Sequence, residues 1–225
     1  MPKIGILFVT LSTFLSMKAK RLARVFLKLA CAFVALVAIT ALVGIFGPRI
    51  AHHKLLKNKA KEAKEYCETH HMNTRYCALV DFSVYSGMHR FFIWDFEKNR
   101  IVYAGPVCHG YGKGGWEIVK PEFSNRPGSY RSSLGKYRIG EASRTRQTGK
   151  HCYRIDGLEA SNSNARRRGI VIHGTVPQYP LLPFPIPLSK RGPSTGCFTL
   201  SADGMNAIDG IMKKNKNVLL YAFCE

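Results

Sequence analysis

Acidic residues are scarce in this chain: 14 Asp and Glu stand against 34 Lys and Arg, a formal charge of +20. A surplus of that size favours anionic partners such as nucleic acid, anionic lipid or an acidic polymer. It is not one basic arm. Twelve basic residues and one acidic lie up to Lys64, and twenty-two and thirteen lie beyond it. No zinc-finger spacing or RNA-binding aromatic signature accompanies the charge, so nucleic acid is not the expected partner. None of the seven cysteines forms a C-x-x-C pair, which argues against zinc. Gly112, Gly114 and Gly115 are not followed by Gly-Lys-Ser/Thr, so they are not a phosphate loop. No metal and no cofactor are expected.

What is present divides the 225 residues into an N-terminal part and one domain. Residues 1–24 carry a basic cluster at Lys18, Lys20, Arg21 and Arg24, and translation starts at Met1 or Met17. Leu29 to Phe46 is uncharged, and with Val25 to Leu27 added the run reaches about 20 residues, the length of a membrane span. No Ala-x-Ala follows it, so residues 25–47 read as a permanent transmembrane helix rather than a removable signal. The 1–24 segment is placed in the cytoplasm and the rest across the inner membrane, although Lys and Arg on both sides nearly balance the orientation rule. Residues 48–76 are Lys-rich with helix formers at Leu55, Leu56, Ala60 and Ala63, which predicts a basic helical stalk beside anionic lipid head groups. Cys67 and Cys77 flank a short segment and are a possible disulfide in an oxidising compartment.

From residue 77 to 225 the pattern is that of strands. Leu79 to Tyr85, Arg90 to Phe96 and Arg100 to Ala104 read as a meander, with Glu97-Lys98-Asn99 as a turn. Short strands follow at Tyr137 to Gly140, Tyr153 to Ile155, Ile170 to His173 and Val218 to Phe223. Prolines 177, 180, 183, 185 and 187 exclude a helix or central strand there and predict an extended flap. Ser201 or Asp203 caps a helix running to about Lys214. The expected fold is mostly β with a C-terminal helix.

The chemistry concentrates between Ile170 and Ser201. His173 ends an apolar β-branched strand, and Ser194-Thr195-Gly196-Cys197 closes the stretch. A thiolate at Cys197 would be the nucleophile and His173 its base, paired as ions. Ser194 and Thr195 position the loop, and Gly196 lets backbone N–H groups converge on an oxyanion. His109 either lines the cleft or is a satisfied structural histidine. Ser132 and Ser133 either offer groups to a substrate or form a turn. Asn164 and Gly174 complete the expected cleft.

These residues resemble the L,D-transpeptidase catalytic domain, which carries a His and a Ser-x-Gly-Cys ending, and within it the murein branch. Three further stretches carry the likeness: Phe123 to Gly135, with its Ser-Ser-Leu-Gly ending; Asp156-Gly157-Leu158-Glu159; and Asn162-Ser163-Asn164-Ala165-Arg166. It runs from about Leu79 to Phe223. The resemblance implies a β-sandwich-like fold, peptidoglycan stem peptides as substrate, and a thioester on Cys197 that an amine resolves. The domain would then lie on the periplasmic side. Thr195 replaces the His or Trp of relatives, and Phe198-Thr199 replaces Pro-Ala, changes that bear on acceptor choice. Two other readings stay open: an L,D-carboxypeptidase or hydrolase using the same Cys–His pair, and a non-catalytic wall-binding module.

Overall fold

The computed structural model describes residues 24–25, 27–36, 52–84, 88–112, 121–146, 149–174 and 194–225. Two compact units divide the chain, Met1–Leu55 and Leu56–Glu225. In the first, residues 24–25 and 27–36 are helical, with large apolar side chains such as Leu27, Phe33 and Val34 exposed. Among the described residues no helix is long and apolar enough to cross a membrane. Most of the span expected at 25–47 lies outside them, as do both candidate starts and the proline flap.

The second unit is built on one nine-stranded sheet. Its strands are β1 (Tyr76–Asp81), β2 (Phe91–Asp95), β3 (Arg100–Gly105), β4 (Val107–Cys108), β5 (Gly135–Arg144), β6 (His151–Gly157), β7 (Val171–Gly174), β8 (Phe198–Leu200) and β9 (Val218–Phe223). Their spatial order is β3-β2-β1-β9-β5-β6-β7-β8-β4. The two edge strands, β3 and β4, are separated in sequence by Pro106 alone. A sheet whose opposite edges are joined through one residue must curl nearly closed. The β-sandwich-like expectation is therefore corrected: this is a single near-barrel sheet, not two stacked ones. Strand periodicity is the same in both architectures, so only the pairing order separates them.

Alternation along β9 shows how the sheet is packed. Val218, Leu220 and Ala222 point into the main core with Ala78, Val80, Phe91, Tyr137, Ile172 and Phe198. Residues 219, 221 and 223 take the other face, where Cys77 and Leu79 of β1 sit opposite Leu219 and Tyr221. From Leu56 onward, helix α1 (residues 52–69) covers that outer face. Leu56, Ala60, Ala63 and Cys67 recur at helical spacing and are all buried. Lys59 lies among them, its ammonium 2.6 Å from Glu225 and 5.5 Å above the rings of Tyr221 and Phe223. Within the Lys-rich stretch residues 52–69 are helical, and one side of that helix is a packed face. The solvated side keeps Lys57, Lys61 and Lys64, with Lys61 and Glu65 3.9 Å apart. Cys67 and Cys77 are separate, fully buried thiols, and burial pushes Cys67 up to about 12.

Two short helices finish the unit. Helix α2 (Ala165–Arg168) stops at Gly169, which takes the left-handed conformation at φ 70°. Helix α3 (Ala202–Met212) starts at Ser201, whose hydroxyl accepts from the Gly204 N–H. Met205, Ile208 and Ile211 of α3 join the main core.

Candidate active site

Strands β7 and β8 run parallel, with Ile172 opposite Phe198, His173 opposite Thr199 and Gly174 opposite Leu200. Paired residues share a face, and side chains alternate along a strand. Continuing that alternation one step before β8 puts Cys197 on the face of His173, two positions from the histidine's partner. The sequence elements singled out as nucleophile and base are thus brought to adjacent strands.

They are not hydrogen-bonded to each other. His173 Nδ1 lies 3.0 Å from Gly174 O, and Nε2 lies 3.2 Å from Thr199 Oγ1. A carbonyl only accepts, so Nδ1 carries the proton and the basic lone pair is at Nε2. Thr199 donates to it. The Cys197 thiol points its Sγ to within 3.8 Å of Gly169 O. Burial pushes the Cys197 thiol up, and a bond from the Val171 backbone and the Arg168 charge only partly oppose it. Burial likewise holds His173 below the ordinary imidazole range, with Gly174 O opposing and Lys150 assisting. Both shifts favour neutral forms. Burial thus favours thiol and imidazole over the ion pair expected from their chemistry alone.

The nucleophile loop is fixed from below. Gly196 has φ +120°, and a β-carbon there would come within 2.7 Å of Arg131 O. Only glycine fits. Ser194 Oγ donates to Cys197 O at 2.7 Å and accepts from the Gly196 N–H at 3.1 Å. The Gly196 N–H is therefore committed to the loop. Thr195 is exposed. Ser132 is buried, accepts from the Gly110 N–H and donates to Gly196 O at 3.1 Å. Ser133 donates to Ser124 O and accepts from Arg168 Nη1. The Ser-Ser-Leu-Gly stretch thus braces the nucleophile loop.

His109 is almost fully buried, and its Nδ1 accepts from Arg90 Nη2 at 2.8 Å. Arg90, itself buried, also bonds Val107 O and Val84 O, and burial lowers it to about 10. Asn164 bonds Asn125 through its backbone N–H and its side-chain amide, fixing the start of the 125–133 loop. Gly174 supplies the carbonyl that holds His173.

Two functional candidates were not visible as such in the sequence. Thr199 stands out there only as a departure from Pro-Ala, yet it holds the base. Arg168 is one of three consecutive arginines. Arg166 points outward to Asp156 and Glu141, whereas Arg168 turns inward. It bonds Ser124 O and Ser133 Oγ at 2.8 Å, Ser129 Oγ at 3.4 Å, and Arg131 O.

The family model for the L,D-transpeptidase catalytic domain matches residues 49–223. Similar solved structures include the Ldtfm–avibactam carbamoyl enzyme, at 12% identity and a TM-score of 0.39, covering 66% of this chain and 49% of that one. Bd1075 of Bdellovibrio bacteriovorus has 16% identity and a TM-score of 0.39, covering 66% and 48%. An L,D-transpeptidase from Mycobacterium smegmatis has 14% identity and a TM-score of 0.36, covering 66% and 58%. The match thus spans about half the length of the first two. No curated protein matches the chain. With its His173 strand and Cys197 loop inside a family match that covers most of its length, the chain belongs to the L,D-transpeptidase catalytic domain family.

Proposed function

We propose that this protein is a cysteine-dependent peptidoglycan L,D-transpeptidase. The observation that supports the reading is the β7–β8 register, which pairs His173 with Thr199, two residues after Cys197, together with the Ser132 and Ser194 bonds that hold the Cys197 loop. His173, neutral with its lone pair at Nε2, takes the thiol proton as Sγ attacks, once the Thr199 hydroxyl releases that lone pair. The carbonyl attacked is that of diaminopimelate in a tetrapeptide stem. The N–H groups of Thr195 and Cys197 receive the oxyanion, since that of Gly196 is committed. The C–N bond to the terminal D-Ala breaks, and the proton passes from His173 to the leaving amine. An amine of a second stem then attacks the thioester and returns the proton to sulfur. A neutral resting pair suits this order, because the proton moves only when a substrate is present.

Residues 25–47 anchor the chain in the inner membrane, with the catalytic unit on the periplasmic side. The uncharged run Leu29 to Phe46 and the exposed apolar side chains at 25–36 support this. Incubating the full chain with a tetrapeptide muropeptide tests the activity. Cross-linked dimers are expected. Tripeptides alone would make the protein an L,D-carboxypeptidase, and no turnover by a folded chain would leave a wall-binding module.

A further inference from the structure

Beside the nucleophile loop lies a hollow of about 410 Å³ lined by Ser124, Arg126, Pro127, Gly128, Ser129 and Arg131. The local sequence explains it. Arg126-Pro127-Gly128 turns sharply, with Gly128 at φ +73° and the Ser129 N–H returning to Arg126 O at 3.3 Å. The loop therefore stands off the sheet. Arg168 ties it down from Ser124 to Ser133, and each of its four contacts there is to a neutral carbonyl or hydroxyl. Its charge is consequently not cancelled at the loop.

The walls are cationic. Among the described residues the exposed Arg126 guanidinium has no ion-pair partner. Arg131 is held at 2.6 Å by Glu122, a carboxylate that is 62% exposed and does not line the hollow. Only the Glu122 end of that pair is exposed, and a second carboxylate entering the hollow would compete with Glu122 for Arg131. Arg131, which lines the hollow, touches the nucleophile loop through its backbone. A β-carbon on Gly196 would lie 2.7 Å from Arg131 O and 3.1 Å from Arg168 Nη2. The next residue is Cys197. With a peptide carbonyl at Cys197, a carboxylate one residue away is displaced by only about 3.5 Å.

We propose that this hollow is a carboxylate subsite for the acyl-donor peptide, with Arg126 and Arg131 as its ligands and Ser129 contributing a hydroxyl. Arginine is suited to the task because its planar fork meets both carboxylate oxygens. The carboxylate has two possible sources in such a peptide: the C-terminal one of the leaving residue, or the side-chain one of the residue being acylated. The inference rests on the proposed function, since the donor is taken to be a stem peptide.

The test is calorimetric titration of the full chain carrying Cys197→Ala with the stem tetrapeptide. Three forms are compared: free acid, C-terminal amide, and side-chain amide of the third residue. Each is repeated with Arg126→Gln added, a change that breaks no side-chain contact, and with Arg126→Gln and Arg131→Gln together. The free acid should bind about tenfold more weakly for each arginine removed. The amide that blocks the recognised carboxylate should bind weakly from the start and be insensitive to the substitutions, which identifies the source. Unchanged binding of the free acid on loss of both arginines would overturn the subsite. So would equal losses for all three peptides, or no binding to the parent. Acylation of the unmodified chain is measured separately. Arginine-dependent binding without acylation would sink the transpeptidase reading and leave the subsite. Acylation indifferent to the arginines would do the reverse.

Discussion

The centre of the sheet and the loop layer at its β7–β8 end are held together by different forces. In β1 and β9 almost every side chain is buried, and the pairing of Cys77 to Asp81 with Leu219 to Phe223 is uninterrupted. Around Cys197 the contacts are instead hydrogen bonds radiating from Ser132, Ser194 and Arg168. Apolar burial is non-directional and tolerant of small shifts. Hydrogen bonds fix atoms to fractions of an ångström. Stability should therefore reside mainly in the first region and reactivity in the second, and substitutions should separate the two.

The largest separation is expected for Cys197→Ser, which should abolish acyl transfer while leaving the melting temperature close to the parent's. Next comes Gly196→Ala. It demands a left-handed backbone from alanine and drives a methyl into Arg131 O, so peptide turnover should fall by about 10²–10³, the cost of a misplaced oxyanion donor. Leu220→Ala provides the opposite arm. Its side chain is fully buried in the main core, and the cavity should cost about 2–5 kcal/mol in denaturant unfolding. A correctly folded fraction should still react.

Arg168→Gln should give a smaller but more informative effect. The arginine opposes the upward shift of the Cys197 thiol, so its loss should raise the thiol further. The pH profile of iodoacetamide alkylation reads this directly. In the parent the rate should keep rising past the ordinary thiol range of about 8.5, because burial favours the uncharged form. In the variant the rise should move to still higher pH. A parent profile flat from below pH 7 would instead reveal a resting thiolate–imidazolium pair. Thr199→Val should be the mildest, about tenfold in turnover with little change in alkylation. It removes the donor to His173 Nε2 without touching the thiol.

The sequence carries these two regions with different clarity. Val218 to Phe223 is legible as a strand because its β-branched, aromatic and leucine side chains serve both faces. Its neighbours, β1 on one side and β5 on the other, are not legible, because pairing at long sequence separation leaves no local mark. That is why a sandwich and a near-barrel look alike before the structure. Leu56, Ala60 and Ala63 suggest a helix, but their packed face shows only once β9 supplies a surface for it. At the site, His173 and Cys197 stand out by residue type and setting. The roles of Arg168 and Thr199 depend on which way a side chain turns. Arg166, Arg167 and Arg168 are indistinguishable as letters, and a four-residue helix decides which one faces the loop.

Intact-mass spectrometry of the full chain after brief exposure to a defined stem tetrapeptide tests the account most directly. The predicted result is a single adduct equal to the peptide less its terminal D-Ala, mapped to Cys197. It should be absent in Cys197→Ser and strongly reduced in His173→Gln. An adduct on another residue, or one formed equally well without His173, would contradict the pairing of this cysteine with this histidine.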